Sequence, residues 1–308
     1  MNHGSKHCVI LNEGAGDQAC LSARLDMLES TMSQHGLRAD FRVLSGNKNV
    51  DPGTVAQEAV QDGYTELVAA GGDGTVAAVA GVAWRSGTSL GVLPMGTFNF
   101  FARSLGIPEE MGEAMTVLAR GQTRQVELGL MNDLVFLNNA SIGLYPAILE
   151  QREGIYDRWG RSRLAAYGSV PGVLLGRHRI MRLDIQSDGE SHRRRTALAF
   201  VCNSAFQLRQ YGIEAEDEIA AGKFALLTSR RGDRRDLLRA AWRLARGKPR
   251  KTEDFDLIFG REIVIDLGCD RCTTALDGEK REAEPTLRFT KAPGGLAVIV
   301  PEAGSDAA

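Results

Sequence analysis

Leu67-Val68-Ala69-Ala70-Gly71-Gly72-Asp73-Gly74-Thr75-Val76 is the stretch that decides the fold of the first third of the chain. An apolar run of strand length meets three glycines and opens into a segment of helical spacing, so it reads as strand, tight turn and helix start. Such a turn lets backbone N–H groups and the positive end of a helix meet an anion with no Cβ in the way, and phosphate is the expected guest. The plainer description is a turn in which Asp73 or Thr75 caps the following helix. Gly72, Gly74 and Ala77 also satisfy the degenerate dinucleotide pattern. The acidic residue that pattern wants ~20 positions later is replaced by Leu93-Pro94-Met95-Gly96.

One helix-plus-strand unit downstream, Gly91-Val92-Leu93-Pro94-Met95-Gly96-Thr97-Phe98-Asn99 repeats the design of strand, Gly turn and helix start. Successive units of a parallel sheet place their turns at the same carboxyl edge, so two polar loops are expected to converge on one crevice that suits a polyphosphate. Working outward, His7–Asn12, Phe41–Leu44, Glu66–Ala70 and Leu90–Pro94 read as strands. Asp17–His35, Val55–Asp62, Thr75–Arg85 and a segment from Asn99 read as helices. Residues 1–125 therefore predict an α/β domain with helices on both faces of a parallel sheet.

Beyond Gln125 the period changes to two, which predicts an antiparallel β-sandwich over 126–308, with the last residues able to return to the first domain. Its expected strands are Leu134–Leu137, Met181–Gln186, Thr196–Cys202, Phe224–Thr228, Glu262–Leu267, Thr273–Leu276, Thr286–Thr290 and Ala297–Val300, with helical insertions at Ser162–Leu175 and Arg234–Arg246. Asp-Gly-Glu occurs twice. Asp188-Gly189-Glu190 reads as a hairpin turn followed by solvated Arg193, Arg194 and Arg195, and Asp277-Gly278-Glu279, taken alone, reads as a hairpin turn too.

Composition narrows the class. Of 308 residues, 43% are hydrophobic and 25% charged, which excludes a disordered, collagenous or disulfide-stapled chain. Five scattered cysteines and no basic-then-apolar leader point to a reducing, cytoplasmic setting. Cys269 and Cys272 form a C-x-x-C without a second pair or a His pair at metal spacing, and read as hairpin flank rather than a zinc or redox site. No apolar run approaches the ~18–20 residues of a membrane span. Residues 131–251 hold 22 basic against 13 acidic side chains, an excess that suits an anionic surface, lipid or nucleic acid. Within it, Arg234–Lys251 interleaves Leu237, Leu238, Ala241, Trp242 and Leu244 with eight cationic residues, which fits either an interfacial helix or a helix packed on the β domain. No nucleic-acid module accompanies these residues, so no nucleic-acid partner is expected. Leu144–Leu175 reads as a lid or an ordinary insertion.

An ordered set of motifs runs through nearly the whole chain: Asn12-Glu13-Gly14-Ala15-Gly16, Gly71-Gly72-Asp73-Gly74-Thr75, Leu93-Pro94-Met95-Gly96-Thr97-Phe98-Asn99 into Phe101-Ala102-Arg103, Asn139-Ala140-Ser141-Ile142-Gly143, and Asp277-Gly278-Glu279. In this order they resemble the bacterial diacylglycerol kinase-like lipid kinases, relatives of the sphingosine kinases. The resemblance implies ATP-dependent phosphoryl transfer to a lipid hydroxyl, with Mg²⁺ brought by ATP. It assigns the nucleotide to Asn12, Gly16, Gly71, Gly72, Asp73, Gly74, Thr75, Thr97 and Asn99, with Ser45 standing where the family has a contacting Thr. It assigns the base to Glu279, with Asp277 and Asp73 helping to orient metal-bound phosphate. The implied setting is cytoplasmic and peripheral at the inner membrane face, with a homodimer left open.

The chain departs from the family at Asn99-Phe100, where an Asn-Asp pair is usual, and at Ala221-Gly222-Lys223-Phe224, where relatives carry a metal-binding Asp. Two competing functions follow. One is an inactive lipid- or nucleotide-binding member of the family; the other is an NAD kinase, which shares the Gly-Gly-Asp-Gly-Thr turn.

Overall fold

The computed structural model describes residues 7–12, 21–44, 50–143, 180–210, 212–230, 255–269 and 272–302. Gly16, Ser45 and the whole of the Leu144–Leu175 and Arg234–Lys251 segments lie outside the described residues. The chain forms two units, 1–127 with 293–308, and 128–292.

The first unit runs β1 (His7–Asn12), α1 (Leu21–Gln34), β2 (Ala39–Leu44), α2 (Pro52–Gln61), β3 (Glu66–Gly71), α3 (Asp73–Ser86), β4 (Ser89–Pro94), α4 (Phe100–Ser104), α5 (Met111–Arg120) and β5 (Gln122–Val126). β1, β3 and β4 are unbroken apolar runs buried along their length, as strands covered on both faces must be. Helix α2 contacts α3, and α1 contacts α5. Local chemistry sets the helix starts: the Asp51 carboxylate accepts from the Thr54 N–H at 2.9 Å ahead of Pro52, and Glu110 accepts from the Glu113 N–H at 2.7 Å. Helix α5 lies close on β4 because Gly91 has no side chain; a Cβ there would stand 2.3 Å from a methyl of Leu118.

The sheet order is β2-β1-β3-β4, then the C-terminal strand Leu296–Val300, then β5. That last strand, expected in the β domain with a return to the first domain left open, pairs parallel to β4 and antiparallel to β5. It closes the first unit with residues from the far end of the chain.

Opposite the glycine turns, His7 and Glu66 are register partners on β1 and β3, and the His7 Nδ1 meets the Glu66 carboxylate with little solvent access. This hydrogen bond raises the His7 pKa against the opposing effect of burial, with the Glu66 charge adding to the rise. A raised folded-state pKa gives stability that is complete below the unfolded value of ~6.5 and is lost as pH climbs through the folded value. The melting temperature is therefore expected to fall between pH 6 and pH 9, and Glu66→Gln to flatten that slope. A slope that Glu66→Gln leaves unchanged would place its origin elsewhere.

The second unit contains β6 (Gly129–Met131), β7 (Leu134–Phe136), β8 (Asn139–Gly143), β9 (Met181–Ser187), β10 (Glu190–Thr196), β11 (Leu198–Cys202), α6 (Ala205–Gln210), α7 (Glu216–Ala220), β12 (Phe224–Ser229), β13 (Phe255–Gly260), β14 (Ile263–Asp266), β15 (Cys272–Leu276), β16 (Glu279–Ala283) and β17 (Thr286–Lys291). They form two antiparallel sheets, β10-β9-β14-β17-β6-β7 and β13-β12-β11-β8-β15-β16. Phe136, Leu183, Ile185 and Phe289 of one sheet and Ile142, Val201, Phe224 and Leu226 of the other share a single buried cluster, so the unit is a β-sandwich. Phe136 packs tilted on Phe224 at 5.9 Å and edge-on to Phe289 at 6.1 Å.

Cys269 and Cys272 are joined by a disulfide, where the sequence suggested only a hairpin flank. The two sulfurs lie against the sandwich core. Cys8 and Cys202 are buried thiols whose pKa values burial pushes up to about 11 and about 12.

Candidate functional site

In the first unit, Gly71 of β3 and Pro94 of β4 are register partners, so both turns leave the sheet at one level of its carboxyl edge. They touch. The Met95 N–H donates to the Gly71 carbonyl at 2.9 Å, and a Cβ on Gly96 would stand 2.6 Å from the Gly72 Cα and 2.9 Å from the Asn99 Oδ1. A Cβ on Gly71 would stand 2.7 Å from that of Thr75. Glycine is required at Gly96 by the close main chain of Gly72 and at Gly71 by the Thr75 side chain, not by φ.

Helix α3 begins at Asp73 with Gly72 as its N-cap and no side chain capping it. Its first intrahelical bond runs from the Val76 N–H to the Gly72 carbonyl, so the earlier amides of the turn are donors at the positive end of a four-turn helix. Asn12, at the end of β1, donates from Nδ2 to the Thr75 hydroxyl at 2.9 Å, which brings the first motif onto the second.

Two residues expected at the nucleotide prove to be built into the turn itself. Asn99 is in the left-handed region at φ 49° and only 5% exposed. Its Oδ1 accepts from the Gly96 N–H at 2.9 Å, and its Nδ2 donates to the Gly96 carbonyl at 3.0 Å and to Glu109 at 2.9 Å. Asn99 thus braces the second glycine turn. Asp73 accepts from the Phe101 N–H at 3.3 Å, so it caps α4 rather than the helix it opens. Burial raises its pKa, opposed by the amides of Phe101, Phe100 and Asn99 and by the charge of Arg103, which leaves a carboxyl more ready to hold a proton than an exposed one. Thr97 sits half-buried in the same turn. The Phe98 and Phe100 rings stack in parallel at 5.4 Å. Their i, i+2 spacing across a left-handed Asn was the available signal for that stack, and Glu109 carried none.

In the second unit, Leu276 pairs with Glu279, so Asp277 and Gly278 form a two-residue hairpin turn with φ of 48° and 92°. The Asp277 carboxylate accepts from the N–H groups of Leu137 at 2.6 Å, Asn138 at 2.7 Å and Asn139 at 3.1 Å, and the Asp277 N–H donates to the Asn139 carbonyl at 2.9 Å. The first Asp-Gly-Glu copy does the same work: Asp188, at φ 47°, accepts from the N–H groups of Arg261 at 2.9 Å and Glu262 at 3.0 Å. Asn132 repeats the device with the Arg288 N–H at 2.8 Å. In each, a left-handed Asx in a hairpin turn clamps the main chain of a neighbouring turn or strand. Asp277, expected from the resemblance to help orient phosphate, has both carboxylate oxygens bonded to main chain. Glu279 is different, with 54% of its side chain exposed and the Arg281 guanidinium at 3.4 Å.

Residues 6–131 match the family described as the diacylglycerol kinase catalytic domain. Diacylglycerol kinases of Staphylococcus aureus strains JH9 and Newman are 42% identical over 90 residues, which is 29% of this chain and 29% of each relative. The chain thus matches less than a third of the length of those relatives in sequence. Two solved structures from Bacillus anthracis, a diacylglycerol kinase and a putative one, are similar over 98% of this chain and 99% of theirs, with TM-scores of 0.68 and 0.73 at 18% identity. That likeness establishes the fold, an α/β unit with a β-rich unit. The catalytic-domain match contains both glycine turns, Asn12 and Asn99. Asp277 and Glu279 lie beyond it.

Proposed function

We propose that the chain is an ATP-dependent lipid kinase that transfers the γ-phosphoryl group to the hydroxyl of a membrane lipid such as diacylglycerol or a sphingoid or ceramide-type alcohol. The observation that carries this reading is the contact between the two glycine turns at one sheet edge, with the uncapped start of α3 beside it. Main-chain donors packed with no Cβ between them fit a polyphosphate, and a lone cap would not need Gly96 against Gly72. The match of residues 6–131 to the diacylglycerol kinase catalytic domain supports the same reading.

The residues fit Mg-ATP as follows. Gly71 to Thr75 and Thr97 would hold the phosphates, with Asn12, Gly16 and Ser45 on the remainder of the nucleotide, and Asp73 and Asp277 as the carboxylates nearest in role to the metal. Mg-ATP, when bound, supplies the phosphoryl group and neutralises its charge. Glu279 would take the proton of the acceptor hydroxyl, for which an exposed carboxylate on a rigid hairpin is suited. A bilayer-resident acceptor requires peripheral contact with the membrane. Among the described residues no helix is long and apolar enough to cross one.

Glu279→Ala tests the assignment. It is expected to lower phosphoryl transfer to a micellar lipid alcohol by about 100-fold or more, while the melting temperature stays near that of the unaltered protein because the side chain is exposed. Full activity in Glu279→Ala would remove the base. A second reading, nucleotide binding without transfer, is favoured by Phe100 in place of an acidic residue and by the main-chain bonds that occupy Asp277; labelled phospholipid from any acceptor would reject it.

A further inference from the structure

We propose that Lys291 is a positioning residue for the reaction, holding the Asp277-Gly278-Glu279 hairpin in place through Asn203 and the turn at 137–139. The proposal rests on the lipid-kinase reading above, in which Glu279 is the base, and adds to it a residue that lies outside every motif quoted above.

Its place in the strand is the first observation. Leu287 and Phe289 alternate into the sandwich core along β17, so the pattern calls for an apolar residue at position 291, where the chain has a half-buried lysine. The Lys291 ammonium stands 4.6 Å from the centre of the fully buried Phe224 ring and donates to the Asn203 Oδ1 at 2.6 Å. Lys291 thus reaches from β17 of one sheet to the end of β11 in the other. A half-buried ammonium costs more to place than an apolar side chain, so the group it holds is where its role lies.

That group controls a turn. Asn203, 8% exposed, donates from its N–H to the Asn138 carbonyl at 2.8 Å and from Nδ2 to the Leu137 carbonyl at 2.9 Å. The Asp277 carboxylate accepts from the N–H groups of Leu137, Asn138 and Asn139, and the Asp277 N–H donates to the Asn139 carbonyl. Asn203 therefore grips the turn by two carbonyls and Asp277 grips it by three amides. Asp277 also opens the hairpin that carries Glu279. Burial raises the pKa of the neighbouring Cys202 thiol, with the Asp277 charge adding to the rise and the Lys291 charge opposing it, so both charges reach this one corner of the sandwich.

Donor and acceptor chemistry gives Lys291 its leverage. An ammonium only donates and a main-chain carbonyl only accepts, so a single sense of the Asn203 amide, Oδ1 to Lys291 and Nδ2 to Leu137, satisfies both. Reversed, the amide would set N–H groups against the ammonium and oxygen against the carbonyl. Without the charge the two senses come closer in energy, the Leu137 carbonyl loses its donor part of the time, and the turn that anchors Asp277 loosens. A base displaced by about 1 Å loses on the order of 10²-fold in rate, so a loosened anchor shows in turnover.

Lys291→Met in the full chain is the test, with Lys291→Arg as its control. Lys291→Met keeps a stem over Phe224 and removes the donor. It should lower kcat for a micellar lipid alcohol about tenfold, leave the KM for ATP unchanged, and speed hydrogen exchange at the Leu137, Asn138 and Asn139 amides about tenfold. Lys291→Arg, which still donates, should restore most of both. In a Glu279→Ala background, Lys291→Met should lose no further activity, because the group it positions is gone. Parental kcat, an equal loss in both backgrounds, a raised KM for ATP with kcat kept, or parental exchange at the three amides would overturn the proposal. Faster exchange at those amides in a protein that phosphorylates no lipid would support the brace and reject the kinase reading instead.

Discussion

Gly96→Ala is expected to abolish usable nucleotide binding and lower phosphoryl transfer about 100-fold, with a melting temperature several degrees below that of the parent. The added Cβ would stand 2.6 Å from the Cα of Gly72 and 2.9 Å from the Asn99 Oδ1, where one obstacle is main chain and the other is the side chain that accepts from the Gly96 N–H. Neither can yield cheaply. Overpacking of this kind destabilises by roughly 1–3 kcal/mol, and relief requires the two turns to part, which moves the amides of the proposed phosphate cradle together. Gly72→Ala provides the internal comparison, because its Cβ would meet Gly96 at 3.4 Å from a residue whose φ of −85° any side chain adopts. It should be clearly the more stable of the two. Gly96→Ala with parental stability and parental ATP affinity would mean that contact between the turns has no part in binding.

Asp277→Ala is expected to destabilise the second unit by about 3–5 kcal/mol, since three main-chain donors lose their acceptor at roughly 1–3 kcal/mol each with partial relief by water. It also leaves alanine at φ 48°, a conformation that Asp and Asn tolerate better. Asp277→Asn keeps one acceptor oxygen and the backbone preference, and should lose about half as much. Denaturant unfolding of the two variants measures this directly. Glu279→Ala, two residues on, should show the opposite profile, stability kept and transfer lost. If Asp277→Ala unfolds at the parental midpoint and loses only turnover, its role is chemical and the clamp is incidental.

The sequence reveals β1, β3 and β4 because each is a buried apolar run that ends in a motif, and it reveals the sandwich through alternation in β9, β14 and β17. It conceals strands whose side chains carry no such pattern. β10 (Glu190–Thr196) and β16 (Glu279–Ala283) are charged edge strands, held by pairing to β9 and β15 rather than by burial, and so read as solvated turns. The return of Leu296–Val300 to the first sheet is a matter of partner choice, which apolar composition does not encode. At the site, local motifs announce the glycine turns, whereas the engagement of Asp277 depends on Leu137, Asn138 and Asn139, over a hundred residues upstream. Asn99 shows the same limit at short range: its position in the motif suggests a ligand contact, and its left-handed backbone and bonds to Gly96 make it a brace.

The central claim is phosphoryl transfer from ATP to a lipid hydroxyl, and one measurement tests it most directly. The purified full chain is incubated with γ-labelled ATP and Mg²⁺ against mixed micelles of diacylglycerol, ceramide, sphingosine or phosphatidylglycerol, with NAD as a soluble acceptor, alongside Glu279→Ala. The account predicts a labelled phospholipid from at least one lipid alcohol, absent with Glu279→Ala and absent with NAD. Label in NADP, or no labelled product from any lipid while ATP still raises the melting temperature, would contradict it.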